Sequence, residues 1–414
     1  MKFFFCILAA AVSSLPAAEN YKFAFGARPS VDGFIAISSA ISYKADRGYG
    51  FERGAQVKFV ERSGKNWRRT GCVTSDAPFL FSVAAPEGNY NVTITFGDPN
   101  GASANVVKAE SRRLMLEEVR TTPGEFITRT FTVNVRTPKI SGDGAVRLKE
   151  REKSYLHWDD KLTLEFNGAR PCIAALEIAK ATNVITVYLA GDSTVTDQPA
   201  EPWNSWGQML PRFLKSGVAI ANHAESGESI KSSLGAHRFD KIFSTIQRGD
   251  YLFFQFGHND MKDRATNALT VYKANLERLV GETRRRGATP VLIAPMERKA
   301  GVGDDTLGSY PATVRSVAKE KDVALIDLHA MSKALYRALG TNLGKAFQDG
   351  THHNNYGSYE VARCVVEGIR QNKMELAKLI AEDVRAFDPA KPDPVEKFHV
   401  PPSPKSDKTK PDGN

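Results

Sequence analysis

From Tyr21 to about Ala181, apolar and polar residues alternate in short runs: Val57-Lys58-Phe59-Val60, Tyr90-Asn91-Val92-Thr93-Ile94-Thr95-Phe96, Phe131-Thr132-Val133-Asn134-Val135 and Lys161-Leu162-Thr163-Leu164-Glu165-Phe166. A period of two sends every second side chain to one face of a strand, and the Gly, Pro, Asn and Asp residues between the runs supply turns. The spacing predicts an all-β sandwich or jelly roll. At Val184 the pattern changes. Apolar runs at Val184–Leu189, Val218–Asn222, Tyr251–Phe256, Pro290–Ala294 and Val323–Leu328 are now separated by stretches of helical period. In Leu269–Arg286, residues Leu269, Tyr272, Leu276, Leu279 and Val280 fall on one side, and a second helix is predicted over Tyr356–Gln371. Strands alternating with helices predict βαβ units, hence a compact doubly wound α/β domain on a five-stranded parallel sheet.

The two ends differ from both patterns. Met1 to Ala18 has Lys2, an apolar run from Phe3 to Val12 and small residues at Ala17 and Ala18, the layout of a cleaved signal peptide. The run is too short to cross a bilayer, so export without a membrane span is expected. Asp388 to Asn414 is rich in Pro, Lys and Asp and nearly free of apolar residues, which predicts a flexible tail. At 414 residues the chain exceeds one ordinary domain. The expected organisation is a signal peptide over 1–18, a β-sandwich over 19–181, an α/β domain over 182–387 and the tail over 388–414. Cys6 belongs to the leader. Cys72, Cys172 and Cys364 lack C-x-x-C spacing and read as buried apolar residues, with a Cys72–Cys172 bridge left open.

In a doubly wound sheet, chemistry gathers at the carboxyl ends of the strands. The first of these ends in Ala190-Gly191-Asp192-Ser193-Thr194-Val195, which places a hydroxyl where the chain leaves the sheet. Alone, Ser193 would be read as a helix N-cap. The second strand leads into Asn222-His223-Ala224-Glu225-Ser226-Gly227, where a glycine offers an unobstructed N–H, and the third into Gln255-Phe256-Gly257-His258-Asn259-Asp260, which adds an amide donor. Ester hydrolysis needs donors aimed at the oxyanion of a tetrahedral intermediate, and the Ser193 and Gly227 N–H groups with the Asn259 side chain supply three. After the fifth strand and its helix comes Asp349-Gly350-Thr351-His352-His353-Asn354, leading into a further helix. An imidazole used as a general base needs an acceptor on its other nitrogen, and a carboxylate three residues away in a tight turn meets that need.

Gly191-Asp192-Ser193, Gly227, Gly257-His258-Asn259-Asp260 and Asp349-x-x-His352 stand in the order of the four blocks of the SGNH (GDSL-type) hydrolases, which the chain resembles from about Val184 to Asp383. Leu189 to Val195, Trp206-Gly207, Asn222-His223-Ala224 and Gln255 to Asp260 are similar to the rhamnogalacturonan acetylesterases of carbohydrate esterase family 12. The resemblance implies a flavodoxin-like three-layer α/β/α domain that removes acetyl groups from pectin, with Ser193 as nucleophile, His352 as base and Asp349 as its orienting carboxylate. It implies an oxyanion hole of Ser193, Gly227 and Asn259, and no metal or organic cofactor. The N-terminal domain resembles galactose-binding-like sandwiches. One departure is that Met296 to Leu307 is shorter than this group leads one to expect, so the cleft wall and substrate choice do not carry over.

The formal charge of +9 fits either attraction to an acidic polymer or a soluble surface, and Arg284 to Arg286 end a predicted helix, where cations suit the macrodipole. Arg68-Arg69 and Arg112-Arg113 are the other dense clusters. No nucleic-acid motif accompanies them. An acetylated polysaccharide or oligosaccharide is the expected partner. An acetylxylan esterase, another SGNH esterase or lipase, and a non-catalytic sugar-binding protein are the alternatives. A metal hydrolase built from His223, His258, His352, His353, Asp192 and Asp260 lacks any recognised ligand spacing. Trp67 and Trp158 read as packing rather than sugar platforms; Trp203 would wall the cleft, and Trp206, at helical spacing from Leu210 and Phe213, would be core.

Overall fold

The computed structural model describes residues 20–26, 33–61 and 70–412. The expected leader, Trp67 and the Arg68-Arg69 pair lie outside the described residues. Two sheets form the N-terminal half. In one, Gly88–Phe96 and Cys172–Lys180 lie at the centre, flanked by Ile127–Val135 and Asn20–Phe25; in the other, Lys161–Arg170 pairs with Phe79–Ala84 and Ser103–Ala109. Their alternating apolar positions meet in a shared core of Phe23, Phe25, Phe81, Val92, Ile94, Phe96, Leu164 and Phe166. This is the sandwich that the period of two predicts. Cys72 and Cys172 are buried free thiols with Sγ atoms 2.7 Å apart, and Cys364 is buried in a helix of the second domain.

The second half carries five parallel strands in the spatial order Val218–Asn222, Ile185–Gly191, Tyr251–Gln255, Thr289–Ile293, Ala324–Ile326. That is the flavodoxin-like order, with its switch point beside the first strand. Why the apolar runs are continuous is visible in where they point. Val187, Leu189, Phe253, Val291 and Ile293 enter one core, against Val361, Val365 and Ile369 of the Asn355–Gln371 helix. Tyr188, Ala190, Leu252, Phe254 and Leu292 enter the opposite core, against Tyr272, Leu276, Leu279 and Val280 of the Ala268–Arg285 helix. Both faces are buried, so neither can be polar. Leu269, expected on the apolar side of that helix, is instead exposed. No helix among the described residues is long and apolar enough to cross a membrane.

Two features depart from expectation. Arg112 and Arg113, one of the dense basic clusters of the sequence, are buried at the tip of the hairpin between Ser103–Ala109 and Arg113–Thr121. Glu110 and Arg112 adopt positive φ there, so the tip is sharp enough to enter the second domain. The Arg113 Nε atom donates to Asp197 Oδ2 at 2.7 Å, and Arg112 pairs with Glu201 and donates to the carbonyls of Gln198 and Trp203. Asp388 to Asp412 also differs from the expected flexible tail. It is laid over both domains, with Val400 and Ser403 buried. Its anchors are polar: Lys108 Nζ donates to Pro401 O and Ser403 Oγ, Asn167 donates to Pro402 O, and the backbone of Glu201 pairs with Lys405 and Asp407. A hydrophobicity argument misses a segment held through its backbone.

Candidate active site

The last residue of the Ile185–Gly191 strand has no room for a side chain: a Cβ on Gly191 would lie 2.8 Å from Gln255 O and 2.6 Å from Val195 Cγ2. The chain then turns at once. Asp192 O accepts from the N–H groups of Val195 and Thr196, and Asp192 Oδ1 accepts from the N–H and hydroxyl of Thr194 at 2.9 and 2.7 Å. Its other oxygen meets His258 Nδ1 at 3.1 Å, which ties this turn to the loop after the third strand. Burial alone would raise the Asp192 carboxyl, but the His258 and Thr194 interactions outweigh it and hold the group below its ordinary value. Ser193 rides at the centre of this braced turn.

The Ser193 Oγ atom lies 2.8 Å from His352 Nε2. On the far side of the ring, His352 Nδ1 lies 2.8 Å from Asp349 Oδ2. The other Asp349 oxygen accepts from the N–H groups of Thr351 and His352, at 2.7 and 2.6 Å, so one carboxylate both folds the turn and orients the imidazole. Burial pushes Asp349 up, but these hydrogen bonds prevail and hold it at about 2. It therefore stays ionised beside the ring. Asn354 caps the following helix by accepting from Gly357 N at 3.1 Å, which fixes where the turn stops. His353 faces inward, 3.1 Å from Tyr336 Oη, and burial lowers it to about 3. It is a neutral core residue.

The other expected oxyanion donors, Gly227 and Asn259, follow the second and third strands of the sheet. Gly227 has φ of +82°, a left-handed turn that glycine tolerates. Neither its N–H nor that of Ser193 donates a hydrogen bond among the described residues. Asn259 Nδ2 donates to Glu228 O at 3.0 Å and its Oδ1 accepts from Lys262 Nζ, so the amide is oriented against the residue after Gly227. Gln198, which sequence reasoning missed, joins the two loops: its Nε2 donates to Ser193 O at 2.8 Å and to Ser226 Oγ at 3.3 Å. Asp260 closes the loop by accepting from Ile230 N, and burial, against that hydrogen bond, pushes its carboxyl up to about 7.

Trp203 stands edge-on to the His352 ring at 5.8 Å and donates from Nε1 to Asp407 O, while Trp206 is core, bonded to Gln255 Oε1. Trp158 is buried beneath the Arg136 guanidinium, as packing. Among the proposed metal ligands, His223 stacks on Tyr188 and His353 lies against Phe347, while among the described residues the groupings close enough to share an ion are Cys72, Asp98, Cys172 and Glu297, Asp305, His329. Ser193 and His352 are each only 1% exposed, and beside them Asp407 O accepts from Trp203 and Lys410 Nζ lies 3.8 Å from Asp349 Oδ2.

Comparison with known proteins agrees with this geometry. Residues 189–358 match the GDSL-like lipase/acylhydrolase family, and residues 21–135 match the galactose-binding-like domain of β-agarase and YxiM-type esterases. The chain is 37% identical over 209 residues to rhamnogalacturonan acetylesterase RhgT of Bacillus subtilis (strain 168), covering 45% of this chain and 90% of that one. It is 28% identical over 387 residues to an uncharacterized esterase of the same organism, YxiM, covering 87% and 94%. A probable rhamnogalacturonan acetylesterase, YesY, is 32% identical over 48% of this chain and 98% of its own length. With its serine, imidazole and carboxylate in hydrogen-bonded sequence on the matched segment, this chain belongs to the GDSL-type (SGNH) hydrolases, a family of carboxylic ester hydrolases, and carries a galactose-binding-like sandwich ahead of the hydrolase domain.

Proposed function

We propose that the protein removes acetyl groups from pectin, with acetylated rhamnogalacturonan as substrate, through an acetyl-serine intermediate. The observation that carries the chemistry is the continuous chain from Asp349 through His352 to Ser193, each link 2.8 Å long. His352 takes the proton as Ser193 Oγ attacks the acetyl carbonyl, and Asp349 holds the ring with Nε2 toward the serine and steadies the imidazolium. The developing oxyanion is received by the N–H groups of Ser193 and Gly227 and the Asn259 amide. His352 returns its proton to the departing sugar oxygen, then activates a water that releases acetate. The names of RhgT and YesY support the pectic substrate, and an exported enzyme would meet that polymer outside the cell.

The test is acetate release from acetylated rhamnogalacturonan beside acetylated xylan, using the intact chain and Ser193→Ala. We expect the intact chain to prefer the rhamnogalacturonan and Ser193→Ala, though folded, to release nothing from either. Equal or faster release from xylan would remove the pectic assignment; turnover by Ser193→Ala would remove the serine.

A further inference from the structure

Residues 403–412 cross the mouth of the site from its base side to its donor side. Asp407 O accepts from Trp203, the residue edge-on to His352. Lys410 Nζ then reaches 3.8 Å from Asp349 Oδ2. Asp412 arrives at Gly227, where a Cβ on the glycine would lie 2.9 Å from the Asp412 Cβ. Here the segment meets the sandwich: the Asp412 carboxylate pairs with Arg151 Nη1.

Arg151 is prepared for that carboxylate. Its Nε and Nη2 atoms are taken by Glu225 Oε1, at 3.1 and 2.6 Å, and Nη2 also donates to Ser226 O at 3.0 Å. The guanidinium is thereby locked against the loop that carries Gly227, with Nη1 directed to Asp412. Lys149 stands beside it, donating to Ser226 O and 3.1 Å from Glu228 Oε1. Glu225 and Glu228 are nearly fully buried, whereas Arg151 is about one-third exposed and Asp412 about half. The fixed half of the arrangement is therefore the arginine, and the exchangeable half is the aspartate, since an exposed ion pair on a surface segment is readily replaced.

We propose that Arg151 forms a carboxylate-binding subsite beside the loop that carries Gly227, that it takes a uronate carboxylate of the substrate, and that Asp412 occupies it in the resting chain as an internal substitute. Nη1, the nitrogen that Arg151 gives to neither Glu225 nor Ser226, is suited to a sugar carboxylate, and the bond to Ser226 O sets the guanidinium on the loop that Gln198 ties to Ser193 O. The sandwich thus contributes to specificity directly, by presenting a cation to the hydrolase domain. This rests on the reading of the site as acting on an acidic pectin.

The test measures binding, by titration calorimetry on the full chain, of trigalacturonate and of neutral xylotriose. Arg151→Gln is expected to weaken trigalacturonate about tenfold or more, as the loss of a charged hydrogen bond does, without a matching change for xylotriose; Arg151→Lys restores part of the loss. Asp412→Asn is expected to tighten trigalacturonate about threefold by removing its competitor. Equal binding of the two sugars by the intact chain, or equal weakening of both by Arg151→Gln, overturns the proposal. Should Arg151→Gln fail to fold, Asp412→Asn decides alone, and unchanged trigalacturonate affinity overturns it. Failure of the pectin reading itself appears separately, as absence of acetate release from acetylated rhamnogalacturonan by the intact chain.

Discussion

At the scale of single residues, the site uses one carboxylate for three hydrogen bonds. Asp349 accepts from two backbone N–H groups and from the His352 ring, and the sum holds it at about 2 against an ordinary value of about 3.9. Because the folded value is the lower one, Asp349 stabilises the native state above about pH 4, and this contribution is lost as pH falls toward 2. Acid unfolding of Asp349→Asn should therefore show a shallower loss of stability across that window than the parent chain; identical acid limbs would contradict the assignment. The Asn259 amide, oriented by Lys262 and Glu228 O, is proposed as an oxyanion donor. Asn259→Ala should lower kcat by about 10²–10³ with little change in KM, because the interaction forms in the transition state. A loss of less than about threefold would reduce Asn259 to loop structure. Asn259 was readable in the sequence because it follows a strand, and Asp349 and His352 because they share one turn just before a helix. Gln198 was not, since the two groups it joins, Ser193 O and Ser226 Oγ, belong to loops brought together only by the fold.

At the scale of elements, periodicity located the five parallel strands and the long helices, because burial on both faces demands uninterrupted apolar runs. The same logic failed for the hairpin tip at Glu110 to Arg113. Adjacent arginines read as solvated charge, yet here their partners, Asp197 and Glu201, lie on the segment that follows the nucleophile. Arg113 and Asp197 are both almost fully buried, so truncating one strands the other without solvent. Arg113→Ala should cost about 3–5 kcal/mol of stability, the range for breaking a buried pair, and should also lower turnover, because Asp197 lies four residues past Ser193 and accepts from the Asn222 amide, which also donates to Val195 O. Chemical denaturation with parallel ester assays checks both; a change below about 1 kcal/mol, the value of an exposed pair, would show that the tip bears no weight.

At the scale of the whole molecule, two domains and a returning segment close on one serine. The sandwich supplies the hairpin tip behind the nucleophile turn and Arg151 at its rim, and residues 403–412 lie across the front. Composition predicted a free tail because it counts apolar surface; the segment is instead held by Lys108, Asn167 and Glu201 through its own backbone, which composition does not register. The central claim is that Ser193, although 1% exposed, is the activated hydroxyl of the molecule. A serine-directed fluorophosphonate, followed by mass spectrometry of the digested chain, tests it most directly. One adduct per chain on the peptide bearing Ser193, accumulating in step with loss of ester hydrolysis, is the predicted result. Complete inactivation with Ser193 unmodified, or full modification of Ser193 with hydrolysis intact, would contradict it.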